Sequence, residues 1–413
     1  MKLILSHPTA NNFARALAYK FVEENVLYEF HTSIASFPGS ILDNLQKIPS
    51  LAEIQRRSFN AELKPYTKTY PWREFGRMLS TKAGFKKLTR HEYGIFSVDN
   101  VYRNIDKHVA ASLKEAFKHG VTGVYAYEDG ALETFIEAKK LGIKCIYDLP
   151  IAYWETGKKL ISEEARRLPA WAGTLGGGIL NSADKLDRKK RELELADLVV
   201  VPSQFVMDSL PDWAKNKKVV IVPFGTPANS GPDVENDRYK TSKPLRVLFA
   251  GSMSQRKGLG DLFAAVKKLN NPDIELVVMG EPQVSMSFYR DEFKDFKYEH
   301  GRPNHEVLKL MRSCDVFCLP SIVEGRALVM QEAMSQGLPI IITPNTGGED
   351  LIIEGETGFL VSIRSPEAIA KKINWFLENR HLIPEMGKKA ILHAQKYTWD
   401  DYGERIVEAI KEL

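Results

Sequence analysis

Three cysteines in 413 residues, Cys145, Cys314 and Cys318, are too few for a disulfide-stapled secreted scaffold and suit a reducing cytosol. Long apolar runs are missing as well. Leu198–Pro202, Val316–Pro320 and Leu338–Pro344 are the longest uncharged apolar stretches, far short of the ~20 residues a membrane helix needs. Met1–Ser6 lacks the basic head, long apolar centre and small-residue cleavage site of a signal peptide, so a cytoplasmic protein is expected. A large excess of one charge is absent too. The net charge is +4, with 33 Lys+Arg against 26 Asp+Glu in residues 1–222, and no nucleic-acid motif accompanies it, so no nucleic-acid partner is expected. What remains is ordinary globular composition, 44% hydrophobic and 27% charged, at a length that exceeds a single core and predicts two domains.

Apolar strand-length runs alternate with segments of helical period along the whole chain, the pattern of parallel α/β architecture. In the first half Lys2–Ser6, Leu27–His31, Val121–Tyr125, Lys144–Tyr147, Leu198–Val201 and Val219–Val222 read as strands. Helices are expected near Asn12–Glu24, Asn104–Lys118, Ala131–Lys140 and Ala183–Leu195. Ser33–Tyr93 is irregular and reads as loops and helices projecting from the sheet. Residues 223–244, rich in Pro, Gly, Asn and Asp, have linker composition. A second series follows, with strands at Arg246–Ala250, Ile274–Met279, Val316–Leu319, Ile340–Ile342 and Gly358–Val361. Its helices include one begun by Ser365 as cap and Pro366 at the first position. The expectation is two Rossmann-like domains, 1–222 and 245–397, joined by the linker 223–244, with a terminal helix within 398–413.

Two segments carry candidate chemistry. In Phe249-Ala250-Gly251-Ser252-Met253-Ser254-Gln255-Arg256-Lys257-Gly258 a strand ends in a short polar loop with two cations before a helix. Backbone amides, a helix start and a lysine at the carboxyl end of a parallel strand favour a phosphate; the plainer reading is a strand–loop–helix junction with solvated charges. In Pro320-Ser321-Ile322-Val323-Glu324-Gly325-Arg326-Ala327-Leu328 a buried-looking strand runs into a turn and a helix, with Glu324 before the helix and Glu332 two turns into it. A carboxylate there can accept hydrogen bonds from sugar hydroxyls. Alternatively Glu324 is an acid favoured by the helix dipole and Glu332 an ordinary helix residue.

Taken in order, these segments resemble the donor-binding half of the retaining glycosyltransferases of family 4, which have the GT-B fold. The likeness is carried by Glu324 and Glu332 as an E-x7-E pair, Glu332-Ala333-Met334, Gly337-Leu338-Pro339, Gly347-Gly348 and Gly355-Glu356-Thr357-Gly358-Phe359. Gly251–Gly258 is similar to the family's phosphate loop. Leu195–Ser203 and Val222-Pro223-Phe224-Gly225 are similar to the segments closing its first domain. The resemblance implies a nucleotide-diphosphate sugar as donor substrate, no cofactor and no metal, an acceptor on the N-terminal domain, and a terminal helix crossing back to that domain. It implies that Lys257 holds and stabilises the leaving diphosphate, with Gly251, Ser252 and Arg256 beside it. Glu324 would contact the transferred sugar and Glu332 the ribose, and the backbone at Gly325, Arg326, Ala327 and Leu328 would face donor phosphates or sugar. Retention by a front-face reaction and a role in polysaccharide or glycoconjugate biosynthesis follow from the same likeness.

The sequence departs from that pattern in three places. Ser252 stands where the family has arginine, and Arg256 is the nearest replacement. The first loop, Ser6–Asn12, has no glycine, so His7, Ala10 and Asn11 are the small or polar candidates at the N-terminal face of the cleft. Asp148 stands where the family has histidine. These departures keep two alternatives open: a catalytically silent nucleotide-sugar-binding subunit, and a sugar-nucleotide epimerase. Cys314, Cys318, Trp375 and Phe376 read as core, and His31, His300 and His305 as structural residues. Finally, Arg56–Arg90 holds ten Lys/Arg against Glu62 and Glu74, interleaved with Tyr66, Tyr70, Trp72, Phe75 and Phe85. This reads as peripheral contact with an anionic membrane at its inner face, serving a lipid-linked acceptor, or else as a solvated loop whose aromatics pack on the domain, or as an acceptor-binding surface with no membrane nearby. Pro65 and Pro71 are expected to interrupt any helix through it.

Overall fold

The computed structural model describes residues 1–45, 54–176, 180–227 and 244–413. Most of the expected linker, residues 228–243, lies outside the described residues. Thirteen strands are described: β1 Lys2–Ser6, β2 Leu27–Thr32, β3 Thr67–Thr69, β4 Val121–Tyr127, β5 Lys144–Asp148, β6 Leu198–Val201, β7 Lys218–Ile221, β8 Leu245–Ala250, β9 Ile274–Met279, β10 Phe296–Glu299, β11 Val316–Leu319, β12 Ile340–Ile342 and β13 Gly358–Leu360. They form two parallel sheets, ordered β3-β2-β1-β4-β5-β6-β7 and β10-β9-β8-β11-β12-β13. Strand order reverses between β1 and β4 in the first and between β8 and β11 in the second. Such switch points open a crevice at the carboxyl ends of their strands.

Buried strands flanked by helices on both faces explain the apolar runs in the sequence: β6, β11 and β12 are buried throughout. Ser365 caps its helix as expected, accepting the N–H of Ala368, and Phe376 is fully buried in the second core. The helices Trp154–Arg167, Gln204–Asp208, Met286–Glu292 and Ile383–Ala394 escaped the sequence reading, while Ile41–Leu45 and Trp72–Lys82 lie in the stretch read only as loops and helices. Strand β3, inside the irregular stretch, and the edge strand β10 were also missed; Thr-Lys-Thr and Phe-Lys-Tyr-Glu are mostly polar and partly exposed, so no apolar run marks them. Pro71 does not interrupt a helix but immediately precedes one, Trp72–Lys82.

The two domains exchange segments. Tyr402, Ile406, Val407 and Ile410 of the terminal helix Trp399–Lys411 pack in the core under the first sheet, so the chain crosses back as expected. In the other direction, Trp171 inserts into the core of the second domain, edge-on to Phe263 and Tyr289, and its Nε1 donates to Glu292 at 3.0 Å. The two crossings between the sheets meet at Phe224, which stacks on Phe13 with ring centroids 4.8 Å apart and lies against Trp399.

Candidate functional site

The carboxyl ends of β8 and β11 open into a cleft of about 1510 Å³ between the domains. The loop after β8 ends in a tight turn, Gln255–Lys257, closed by Gly258 at φ +76°. A Cβ on Gly258 would lie 2.0 Å from the carbonyl oxygen of Pro320, so only glycine lets the two switch-point loops touch. Gln255 is the frame of this turn. Its N–H donates to Thr174 Oγ1 at 3.0 Å, its Nε2 donates to Glu164 (3.0 Å) and Asp261 (2.9 Å), and its Oε1 accepts from the N–H of Gly260. With Gln255 held inward, its neighbours Arg256 and Lys257 line the cleft.

There they meet Glu324 from the loop after β11. Lys257 Nζ lies 2.5 Å from Glu324 Oε1, Arg256 Nη1 pairs with the same oxygen, and Arg256 also donates to the carbonyl of Val323 at 3.0 Å. Burial pulls the Lys257 ammonium below the ordinary lysine range; Glu324 opposes that shift and Arg256 adds to it. One carboxylate between two cations leaves a positive charge in a sparsely hydrated place, which an anion can complete. Glu332, half-buried one turn into the helix Leu328–Ser335, has its carboxyl raised by burial, against which the Asn304 amide donates to it at 2.9 Å. Gly251, Ser252, Gly325, Arg326, Ala327 and Leu328 line the same cleft. The structure thus brings every donor-side candidate to one wall, although Ala327 donates its N–H to Thr346.

Arg326 lines that wall, but its guanidinium is turned away from it. Its guanidinium bonds Gln331 (2.9 Å), Gly347 O (3.2 Å) and Asp350 (2.6 Å) and stacks over Tyr397. Gly325 is the point of closest approach to the first domain: a Cβ there would sit 1.8 Å from Pro150 O, and its carbonyl accepts from Ser203 Oγ at 2.6 Å.

The N-terminal candidates fall elsewhere. His7 is buried beneath its loop, and its Nδ1 accepts the N–H groups of Ala10 (2.8 Å) and Thr9 (3.1 Å). Burial, with the nearby Arg57 charge, lowers its pKa to about 3, so it is a neutral internal acceptor. Ala10, fully buried, spends its amide on that bond. Asn11 spends its Oδ1 capping the helix Asn12–Glu23 at Ala14. Asp148 is enclosed with Tyr125, whose hydroxyl donates to it, and burial raises its pKa to about 7. The first domain's wall of the cleft is instead made by Phe13, Gln55, Arg56, Lys82, Pro150 and Ile151. Across it, Arg302 and Asn304 follow β10. No motif pointed to Asn304 or Arg302, because the strand that presents them was itself illegible. His31 is fully engaged within the domain by Glu29 and Tyr70. Among the described residues, no group of three or more His, Cys, Asp or Glu is placed to hold a metal ion.

Comparison with known proteins places a likeness on these same elements. Residues 233–394 match the family model of Glycosyl transferases group 1. The chain is 30% identical over 181 residues to the D-inositol 3-phosphate glycosyltransferase of Corynebacterium glutamicum, covering 40% of this chain and 43% of that one. It is 27% identical over 236 residues to the lipopolysaccharide 1,2-N-acetylglucosaminetransferase of Salmonella typhimurium, covering 52% and 61%. The chain thus spans about half the length of the curated relatives it matches. Among solved structures, sucrose-phosphate synthase from Thermosynechococcus elongatus superposes with a TM-score of 0.68 at 17% identity, over 100% of this chain and 98% of that one. Anabaena HepE in complex with UDP superposes with a TM-score of 0.61 at 14% identity, over 100% of both. The fold is that of these two-domain GT-B proteins throughout, and the sequence likeness to glycosyl transferases group 1 resides in the C-terminal domain that carries Lys257, Glu324 and Glu332.

Proposed function

We propose that the protein transfers a sugar from a nucleoside-diphosphate sugar to a hydroxyl of a glycan or lipid-linked acceptor, with retention at the anomeric carbon. The work would serve polysaccharide or glycoconjugate biosynthesis at the cytoplasmic side. The observation that carries this reading is the Arg256–Glu324–Lys257 cluster at a strand switch point, inside a cleft large enough for a donor and an acceptor together. It is supported by the neighbour HepE, solved with UDP and also with UDP-glucose, the latter at a TM-score of 0.57.

In this reading the donor's diphosphate exchanges places with Glu324 as partner of Lys257 and Arg256, and Arg256 takes the part of the arginine replaced by Ser252. Glu324, released, accepts from the sugar's hydroxyls, and Glu332 accepts from the ribose. The bond between the anomeric carbon and the diphosphate oxygen breaks as negative charge grows on that oxygen, where the two cations stabilise it. The acceptor oxygen bonds to the same face of the carbon and its proton passes to the departing diphosphate. No bound metal is needed for these steps.

Purified protein incubated with UDP-, GDP-, ADP- and CDP-sugars tests the reading. Time-dependent release of one nucleoside diphosphate, faster with a hydroxyl acceptor, is the expected result. Tight binding without release would instead make it a silent binding subunit, and interconversion of the sugar without release an epimerase.

A further inference from the structure

We infer that the outer face of residues 72–98 is a docking surface for an anionic lipid bilayer. Among the described residues, nearly half of the exposed large apolar side chains fall in this short segment. Trp72, Leu79, Phe85, Leu88, Tyr93 and Ile95 are between 38% and 82% exposed, with Trp72 the most exposed. Trp72 and Leu79 are seven residues apart on the helix Trp72–Lys82 and therefore share a face.

Contacts within the segment tie several of these stretches together. Trp72 and Ile95 line a common hollow, Arg73 Nη1 donates to Ile95 O at 2.8 Å, Phe96 N–H donates to Leu88 O, and Leu88 N–H donates to Phe85 O. The fold also sorts the aromatics of this basic segment. Tyr70 is held between His31 and His108 and Phe75 packs on a small internal cluster, while Trp72 and Phe85 are left outside.

Charge points to the same occupant. Residues 75–91 hold five Lys/Arg and no acid. The acid just before them, Glu74, is buried between Arg57 (2.8 Å) and Arg77 (2.7 Å), so it is spent on those two, while Lys86, Lys87 and Arg90 beyond the helix stand exposed with no acid among them. Rings at headgroup depth beside cations facing anionic lipid satisfy both features at once. A second copy would set Lys86, Lys87 and Arg90 against their own copies, and a neutral apolar partner would take these exposed cations out of water with no opposite charge supplied. Lys82, at the end of the helix, lines the interdomain cleft, so a bilayer on this face lies against the cleft mouth and can present a lipid-linked acceptor to it. In naming that acceptor the inference rests on the transferase reading.

Flotation of the full chain with vesicles tests it, using phosphatidylcholine alone and with roughly a third phosphatidylglycerol, at low and raised salt. Binding only to the anionic vesicles, reversed by salt, is expected. Trp72→Ser with Leu79→Ser should abolish it, and Lys86→Gln with Lys87→Gln should weaken it about 25-fold, roughly fivefold for each cation. Melting temperature and UDP affinity of each variant, read in the same samples, should match the parent. No flotation, equal binding to neutral vesicles, or variants that bind like the parent would overturn the surface while leaving the transferase reading intact. So would a dimer dissolved by Trp72→Ser with no vesicle binding. Flotation by a protein that binds no nucleoside diphosphate would sustain the surface and sink the transferase reading instead.

Discussion

At the scale of single residues, the cleft turns on how many charges one carboxylate can balance. Glu324 faces two cations, so removing one should be felt by an anionic ligand more than by the fold. Lys257→Ala is expected to weaken nucleoside-diphosphate binding and turnover together by roughly ten- to a hundred-fold, the worth of a charge-assisted hydrogen bond of ~1.5–3 kcal/mol. Calorimetry with UDP and the rate of donor consumption check it; unchanged affinity in a folded variant would remove Lys257 from the site. Because burial lowers the Lys257 pKa, affinity should also start to fall with rising pH well before an ordinary lysine would titrate. Glu324→Gln leaves both cations in place and should keep the diphosphate while losing transfer.

Elements matter because the loop from Gly251 to Gly258 does not hold itself. Gln255 is fixed by Glu164 and Asp261, and Glu164 is itself fully buried against Arg167 (2.7 Å) and Arg364. Burial works against the charge of Glu164, yet Arg167, Gln255 and Arg364 hold its pKa below the usual glutamate range. A group of this kind stabilises the fold above its unfolded pKa, and that contribution is lost as pH falls through the lower folded value. Replacing it leaves Arg167 to Asp261 and Arg364 to Glu163 and removes charge-assisted hydrogen bonds from both and from Gln255, so Glu164→Ala should cost about 2 kcal/mol. A urea titration at neutral pH would show it, with the midpoint difference from the parent shrinking in acid. UDP affinity should fall with it, since the Gln255 frame loosens. A stability loss with unchanged affinity would limit the network to folding.

For the whole molecule, the decisive feature is the exchange of segments between domains. Trp171 anchors the first domain's helix–turn in the second core, while Tyr402 returns to the first, beside Tyr125 and Asp148. Asp148, its pKa raised to about 7 by burial, binds a proton in the folded state over a range where the unfolded chain does not. Stability should therefore fall as pH rises from about 4 to about 7, by at most ~1.4 kcal/mol per pH unit from this group, and level off above. Asp148→Asn keeps an acceptor for the Tyr125 hydroxyl and should flatten that slope and raise the melting temperature at pH 8. Equal pH slopes in parent and variant would mean that Asp148 titrates normally.

Much of this was legible in the chain. Buried strands and amphipathic helices announce themselves by apolar runs and helical period, so β1, β6, β9 and β11 emerge nearly to the residue, short as two of them are. The loop from Gly251 to Gly258 and the pair Glu324 and Glu332 stood out because their order and spacing resemble a known family; the residues alone left a plain strand–loop–helix junction open. What stayed hidden has one physical cause: contacts between residues far apart in sequence. His7, Ala10, Asn11 and Asp148 were polar or small at the right strand ends, yet the first domain satisfied each of them internally. Arg56, Lys82 and Asn304 reach the cleft only because helices and a short edge strand carry them there. Likewise, composition marked residues 56–90 as basic and aromatic, but only packing decided which rings are core and which face outward. Local pattern determines which elements form and where backbone can meet a phosphate. Which side chains remain unspent, and so free to bind something else, is decided when the two domains close on each other.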